Sequence, residues 1–334
     1  MFNPINITDQ FGRVHDYLRI SLTERCNLRC VYCMPEEGIQ LSEKESLMSH
    51  EEVISIAKQF VAMGVKKIRL TGGEPLIKKN VEKIITELAQ LPINLGITTN
   101  GILLDNFFEL FKQSGIKDIN ISLDTLNREK FNEITRRDYF DRVLNNINLY
   151  EANGFNIKIN NVLIKGVNDN EMLDFVEFTK TKNIAIRFIE FMPFSGNKWN
   201  TEKVVTLEQI LAAATKKYGK ESIINLPSKK NGTAKNFQIK GYKGSFGVIS
   251  TVSNPFCDSC NRIRLTANGC IKNCLFSSTE TNLLTPLREG KNIQPYILEG
   301  VFHKFKTRGG MTSDKEFFDT ENNSKNRTMI AIGG

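Results

Sequence analysis

The sequence predicts an α/β protein, an incomplete (β/α)6 TIM-like barrel closed by a C-terminal α+β module. Three observations carry this expectation. Between residues 17 and 191, short runs rich in β-branched residues alternate with stretches of helical periodicity. The alternation stops after six β-then-α units, enough for a parallel sheet with helices on its outer face but too few for a closed eight-stranded barrel. A polar segment at 226–236 (LPSKKNGTAKN) then interrupts the pattern and reads as a loop or linker. The expected division is 1–225 for the barrel and 226–334 for the module.

The six strand-like runs are 17–22 (YLRISL), 67–71 (KIRLT), 94–98 (NLGIT), 118–122 (DINIS), 156–163 (NIKINNVL) and 185–191 (AIRFIEF). Ser49 followed by Glu52 is a capping box that starts a helix. Val53, Ile56, Ala57, Phe60 and Val61 then share a face, and Gly64 stops it. Phe140, Val143, Leu144 and Ile147 form a second stripe, ended by Gly154. Asn168 with Glu171 reads as a further cap. Residues 242–251 (YKGSFGVIST) read as a strand pair.

Hydrophobic residues make up 40% of the 334, so a sizeable core is available. The N-terminus lacks a basic start followed by an apolar run, and no apolar stretch reaches the length of a membrane span. Seven cysteines without such a leader point to a reducing compartment, hence the cytoplasm, and to metal binding. The net charge of +8 suits an anionic partner, which the placement of the arginines identifies better than the total.

Cys26-x3-Cys30-x2-Cys33 (CNLRCVYC) directly follows the first strand. Thiolates are the usual ligands of iron–sulfur clusters, and three of them leave one iron of a [4Fe–4S] cubane open. Zinc is the alternative, but it needs a fourth ligand, and no histidine lies within ten residues of the group. Thr71-Gly72-Gly73-Glu74-Pro75 follows the second strand, where glycines let a backbone approach a ligand. Cys257, Cys260 and Cys274 form a second group, with Cys270 between them as a candidate fourth ligand of a closed zinc site. Arg19 and Arg69 lie in the first two strands, and Arg262 and Arg264 stand beside the second group. Arginines aimed into a barrel need an anion, and a triphosphate is one.

The first cysteine motif resembles the hallmark of the radical S-adenosylmethionine superfamily. The second group, with Arg262, Arg264 and the terminal Gly333-Gly334, resembles the molybdenum-cofactor biosynthesis protein A family, the GTP 3′,8-cyclases. The resemblance runs from Asp16 to the last residue. It implies two [4Fe–4S] clusters, one on Cys26, Cys30 and Cys33 and one on Cys257, Cys260 and Cys274. It implies S-adenosylmethionine bound by Tyr32, Gly73, Ser122 and Met192, with Gly72 and Glu74 as weaker members. It implies GTP held by Arg19, Arg69, Thr98, Lys158, Arg262 and Arg264, with Arg187 as an additional cation. Gly333 and Gly334 would enter the active site from the end of the chain. The implied partners are an electron-donor protein or reductant, a downstream cyclic pyranopterin monophosphate synthase and a second copy in a homodimer. Neither nucleic acid nor membrane is expected.

Overall fold

The computed structural model describes residues 6–34, 38–228, 230–319, 323 and 326–333. The first strands appear where the β-branched runs predict them: β1 (Tyr17–Ser21), β2 (Lys67–Thr71), β3 (Asn94–Thr99), β4 (Asp118–Ser122), β5 (Asn156–Leu163) and β6 (Ala185–Glu190). They lie side by side in chain order, each parallel to the next. Parallel neighbours require crossovers, and helices supply them. These are α1 (His50–Ala62), α2 (Val81–Leu88), α3 (Phe108–Gln113), the pair α4 (Arg128–Thr135) and α5 (Phe140–Ala152), and α6 (Met172–Phe178).

Helix α1 shows how the sequence sets these crossovers. Ser49 Oγ accepts from the Glu52 amide at 3.2 Å, and the Glu52 carboxylate accepts from the Ser49 amide at 2.7 Å. Such a cap stabilises a helix by about 1 kcal/mol. Val53, Ile56, Ala57 and Phe60 are fully buried against the sheet. Truncating Phe60 to alanine would cost on the order of 3–5 kcal/mol through the cavity left behind.

Side chains alternate across each strand. Leu18, Ile20, Ile68, Leu70, Ile97, Ile119, Ile121, Ile157, Ile159, Ile186 and Phe188 point toward the helices and are buried in the main core. The polar residues between them line the opposite, inner face.

The second half of the chain extends both edges of this sheet. After α7 (Leu207–Tyr218) come β7 (Ile223–Leu226), β8 (Lys235–Ile239) and β9 (Ser245–Ile249). Strand β9 adds parallel to β6, with β8 and β7 antiparallel beyond it. Strand β10 (Arg262–Leu265) adds parallel to β1 at the other edge, followed by antiparallel β11 (Cys270–Lys272) and β12 (Thr281–Asn282). The result is one mostly parallel sheet, 12-stranded among the described residues. Helices α8 (Leu284–Arg288), α9 (Gln294–Phe302) and α10 (Asp314–Phe318) and a helical turn at Met329–Ile332 complete the chain. No helix among the described residues is long and apolar enough to cross a membrane.

Two local expectations need correction. Residues 242–251 supply one strand, not two, because Tyr242–Gly244 belong to the turn before it. A side chain at Gly244 would meet the Ile184 carbonyl at 2.2 Å. The partner strand is β8, so the loop expected over 226–236 is shorter at its far end. Asn168 and Glu171 do not form a capping pair. Asn168 Oδ1 accepts from the Ile164 amide, while Glu171 accepts from the Thr125 hydroxyl and the Leu126 amide. Both side chains tie loops together at the strand ends instead.

Candidate active site

Strand register builds the inner face. Arg264 on β10 stands level with Arg19 on β1, and Arg19 with Arg69 on β2. One pleat earlier the row is Arg262, Tyr17 and Lys67. Arg69 is almost wholly buried; its Nε donates to Tyr17 Oη at 2.9 Å and its Nη1 to the Ile97 carbonyl at 2.6 Å. Gly96 makes this room, since a Cβ there would come within 3.0 Å of the Arg69 guanidinium. Farther across the face stand Thr98, Lys158 and Arg187, on β3, β5 and β6.

The electrostatics are those of an anion site. Burial brings Lys158 down to about 8, although Asp118 Oδ1, 3.5 Å away, opposes the shift. Burial and the neighbouring arginines bring Arg264 down to about 9 and Arg187 to about 10. Arg187 Nε, Thr98 Oγ1, Asn120 Oδ1 and Asn160 Oδ1 are buried without a hydrogen-bond partner among the described residues. Orphaned polar atoms on one face are the mark of a surface shaped for a polar ligand.

The first cysteine group lies at the C-terminal ends of the strands. Cys30 and Cys33 bear on each other's thiols, and Cys26 is close enough to Cys30 to feel its charge. Cys26 Sγ accepts from the Leu28 amide at 3.4 Å and from Asn100 Nδ2 at 3.8 Å. Burial nevertheless pushes the Cys26 thiol up to about 12. A thiolate there needs a cation beside it, which iron supplies.

The Gly72-Gly73 turn is sewn to this loop. The Gly73 amide donates to the Thr23 carbonyl at 2.7 Å and the Glu74 amide to the Arg25 carbonyl at 2.8 Å. A side chain on Gly73 would meet the Arg25 carbonyl at 2.2 Å, so only glycine allows this approach. Glu74 is buried and accepts from the Leu76 amide, the Thr99 hydroxyl and the Asn100 amide. Burial still lifts its carboxyl to about 7. Tyr32 Oη donates to Asp124 at 2.6 Å, and Tyr32 and Met192 each pack against a small second apolar cluster. Ser122 ends β4 beside Asn160.

The second group gathers at the other end of the strands, before β10, the parallel neighbour of β1. Cys257 and Cys260 precede β10, and the antiparallel β10–β11 hairpin returns Cys274 toward them. Cys257 Sγ accepts from the Arg308 amide at 3.5 Å and Cys260 Sγ from Lys304 Nζ at 3.4 Å. Burial alone would raise the Cys260 thiol, but Lys304 and Arg262 outweigh it and bring it to about 7. Cys270 turns elsewhere. It is buried in β11 near Glu280, Arg327 and Thr266, which are its main charged and polar neighbours. Among the described residues, neither cysteine group is gathered tightly enough to hold a single metal ion.

The chain end comes back into this space. Gly333 is buried with φ +84°, and Arg264 Nη1 donates to its carbonyl at 2.7 Å. Gly334 lies outside the described residues. Strand β1, five residues and about 17 Å long, runs between the two cysteine groups, with the arginine rows along it. Sequence reasoning missed Tyr17, Lys67, Asp118, Asn120 and Asn160 as members of this face. The strict alternation in DINIS and NIKINN was the available signal.

Residues 20–179 match the Radical SAM superfamily, and residues 184–308 match the Molybdenum Cofactor Synthesis C family. The fold resembles that of Streptococcus suis SuiB bound to S-adenosylmethionine, with a TM-score of 0.57 at 18% identity, over 82% of this chain and 66% of that one. These define the class, a radical S-adenosylmethionine protein whose cofactors are a [4Fe–4S] cluster and S-adenosylmethionine. The chain is 45% identical to the mitochondrial GTP 3′,8-cyclase of Arabidopsis thaliana over 99% of its own length and 85% of that protein. It is equally similar, at 45%, to the GTP 3′,8-cyclase of Listeria welshimeri, covering 90% of it. The chain belongs to the GTP 3′,8-cyclase family. It spans about half (52%) of molybdenum cofactor biosynthesis protein 1 of Dictyostelium discoideum, to which it is also 45% identical.

Proposed function

We propose that this chain converts GTP to (8S)-3′,8-cyclo-7,8-dihydroguanosine 5′-triphosphate, the first step of molybdenum cofactor biosynthesis, by a reaction that begins with removal of the ribose 3′ hydrogen. One observation carries the reading: a cation-lined sheet face stretched between two separate cysteine groups. The sheet then serves as an incomplete (β/α)6 barrel, 1–225, whose open side is closed by the module 226–334.

Cys26, Cys30 and Cys33 hold the first [4Fe–4S] cluster. With S-adenosylmethionine bound, this cluster supplies the 5′-deoxyadenosyl radical. Tyr32, Gly73, Ser122 and Met192 hold the S-adenosylmethionine, the tight Gly73 turn keeping its backbone next to the cysteine loop. Cys257, Cys260 and Cys274 hold a second [4Fe–4S] cluster on the substrate side. Arg19, Arg69, Thr98, Lys158, Arg262 and Arg264 take the triphosphate and sugar, with Arg187 behind them. Charged donors held in a dry site need no reorganisation when a polyanion arrives. Gly333 closes the space between strands and excludes water, and Gly333-Gly334 take the active-site role that the family resemblance implies. A reductant or electron-donor protein, a cyclic pyranopterin monophosphate synthase that consumes the product, a homodimeric assembly and a cytoplasmic setting complete the reading.

The test is anaerobic reconstitution followed by an iron count and an assay for 5′-deoxyadenosine under reducing conditions. Two clusters give about eight irons per chain, and GTP should trigger 5′-deoxyadenosine release. About four irons with tightly held zinc would remove the second cluster, and no response to GTP would remove the substrate.

A further inference from the structure

The inner face carries one acidic phenol that the proposed reaction does not use. Tyr17 sits at the start of β1, its hydroxyl accepting from Arg69 Nε at 2.9 Å. Lys67 lies over its ring, 5.2 Å from the centroid. Arg262 is its register partner on β10, Arg264 and Arg19 lie one pleat on, and Arg187 on β6 also bears on it. Two carboxylates stand nearby among the described residues: Asp118 on β4 is drawn to Lys158, and Asp16, next to Tyr17, accepts from Asn261 Nδ2. So many cations on one face repel each other strongly when no anion is present.

We infer that Tyr17 is a proton-coupled positioning residue of the triphosphate site. Without nucleotide its phenolate holds Arg69 and offsets part of the crowded positive charge. When a polyanion arrives, the oxygen takes a proton from solvent, and the charge it balanced passes to the phosphates. Two like charges cannot share one set of cations without loss, so exchange of one anion for another is the low-energy route. The acidity of the group agrees with this geometry. Burial would raise the Tyr17 hydroxyl, but Arg69, Arg19 and Lys67 outweigh burial and bring it to about 7. The inference rests on the proposal that a nucleoside triphosphate binds this face, and it adds a proton to that binding event.

The experiment is isothermal titration of GTP, and separately of inorganic tripolyphosphate, into the reconstituted full chain. Wild type and Tyr17→Phe are compared at pH 6.5, 7.5 and 8.5 in buffers of contrasting ionisation enthalpy. At pH 8.5 the wild type should take up about one proton more per nucleotide bound than Tyr17→Phe, whose remaining uptake comes from Lys158 and Arg264. Wild-type affinity should fall more steeply above pH 7 than that of Tyr17→Phe, the two slopes differing by up to about tenfold per pH unit, and the variant should exceed wild type at pH 8.5. Phenylalanine keeps the ring under Lys67, and a circular dichroism melt confirms that the variant folds. Equal proton uptake by the two proteins overturns the inference while leaving the substrate reading intact. A variant weaker than wild type by the same factor at every pH reduces Tyr17 to a structural prop and also overturns it. Failure of wild type to bind either probe at any pH removes the substrate reading and this inference together.

Discussion

Arg264 Nη1 donates a 2.7 Å hydrogen bond to the carbonyl of Gly333, so a strand beside the second cysteine group grips the end of the chain. The same glycine is wedged between the ends of two neighbouring strands. A Cβ on it would come within 2.7 Å of Thr71 Oγ1 and 2.8 Å of Ser21 Cβ. Its φ of +84° adds a conformational penalty of roughly 1 kcal/mol for any other residue.

Gly333→Val should therefore expel the tail without unfolding the barrel. Product formation should fall by about tenfold or more, a loss of ~1.4 kcal/mol of transition-state stabilisation. The melting midpoint should move by less than about 3 °C, and the iron content should hold. Anaerobic product assay beside a thermal melt checks both.

Cys270 and Cys274 are separated by structure despite standing four residues apart. Cys270→Ala should keep the full iron content, because its thiol faces Glu280 and Thr266. Cys274→Ala, like Cys257→Ala or Cys260→Ala, should lose about half of the iron, the second of two four-iron clusters. Iron analysis and electron paramagnetic resonance of the reduced proteins distinguish the two outcomes.

Glu74 is a rivet between the glycine turn and the next strand. Its two oxygens receive three donors, from Leu76, Thr99 and Asn100. Glu74→Gln is nearly isosteric, yet its amide nitrogen must face one of those donors. A buried unsatisfied donor costs about 1–3 kcal/mol. At pH 8 the melting midpoint should drop by several degrees, and S-adenosylmethionine affinity should weaken with it.

Stability should depend on pH through the inner-face cations. Lys158 titrates near 8, Arg264 near 9 and Arg187 near 10 in the folded chain, all below their ordinary values because of burial. Between pH 8 and 10 the unfolded chain then binds more protons than the folded one, so this contribution makes stability rise with pH. Below about 8 the cations are charged and the penalty is complete. Added tripolyphosphate should raise the melting midpoint most at neutral pH, and its effect should shrink as pH climbs through 8 to 10. Lys158→Met should flatten part of that dependence.

The sequence by itself determined the six parallel strands, the capping of α1, the three-cysteine loop after β1 and the glycine turn after β2. Each is local: β-branched alternation, a cap three residues from its partner, and ligand spacing act over a few positions, so a linear reading finds them. It also carried the family resemblance, since both cysteine groups and the adjacent arginines are short motifs. Tertiary structure decided what those motifs meet. Arg264 stands beside Arg19, and Arg19 beside Arg69, only because β10 pairs with β1 in parallel across most of the chain. That pairing is selected by burial of Leu18, Ile20, Ile263 and Leu265 on the outer face, which turns every intervening cation inward. Register also admitted Tyr17 to the site, turned Cys270 away from Cys274's group and left a slot at the strand ends that only Gly333 fits. Such outcomes depend on packing between distant segments, and no local pattern encodes them.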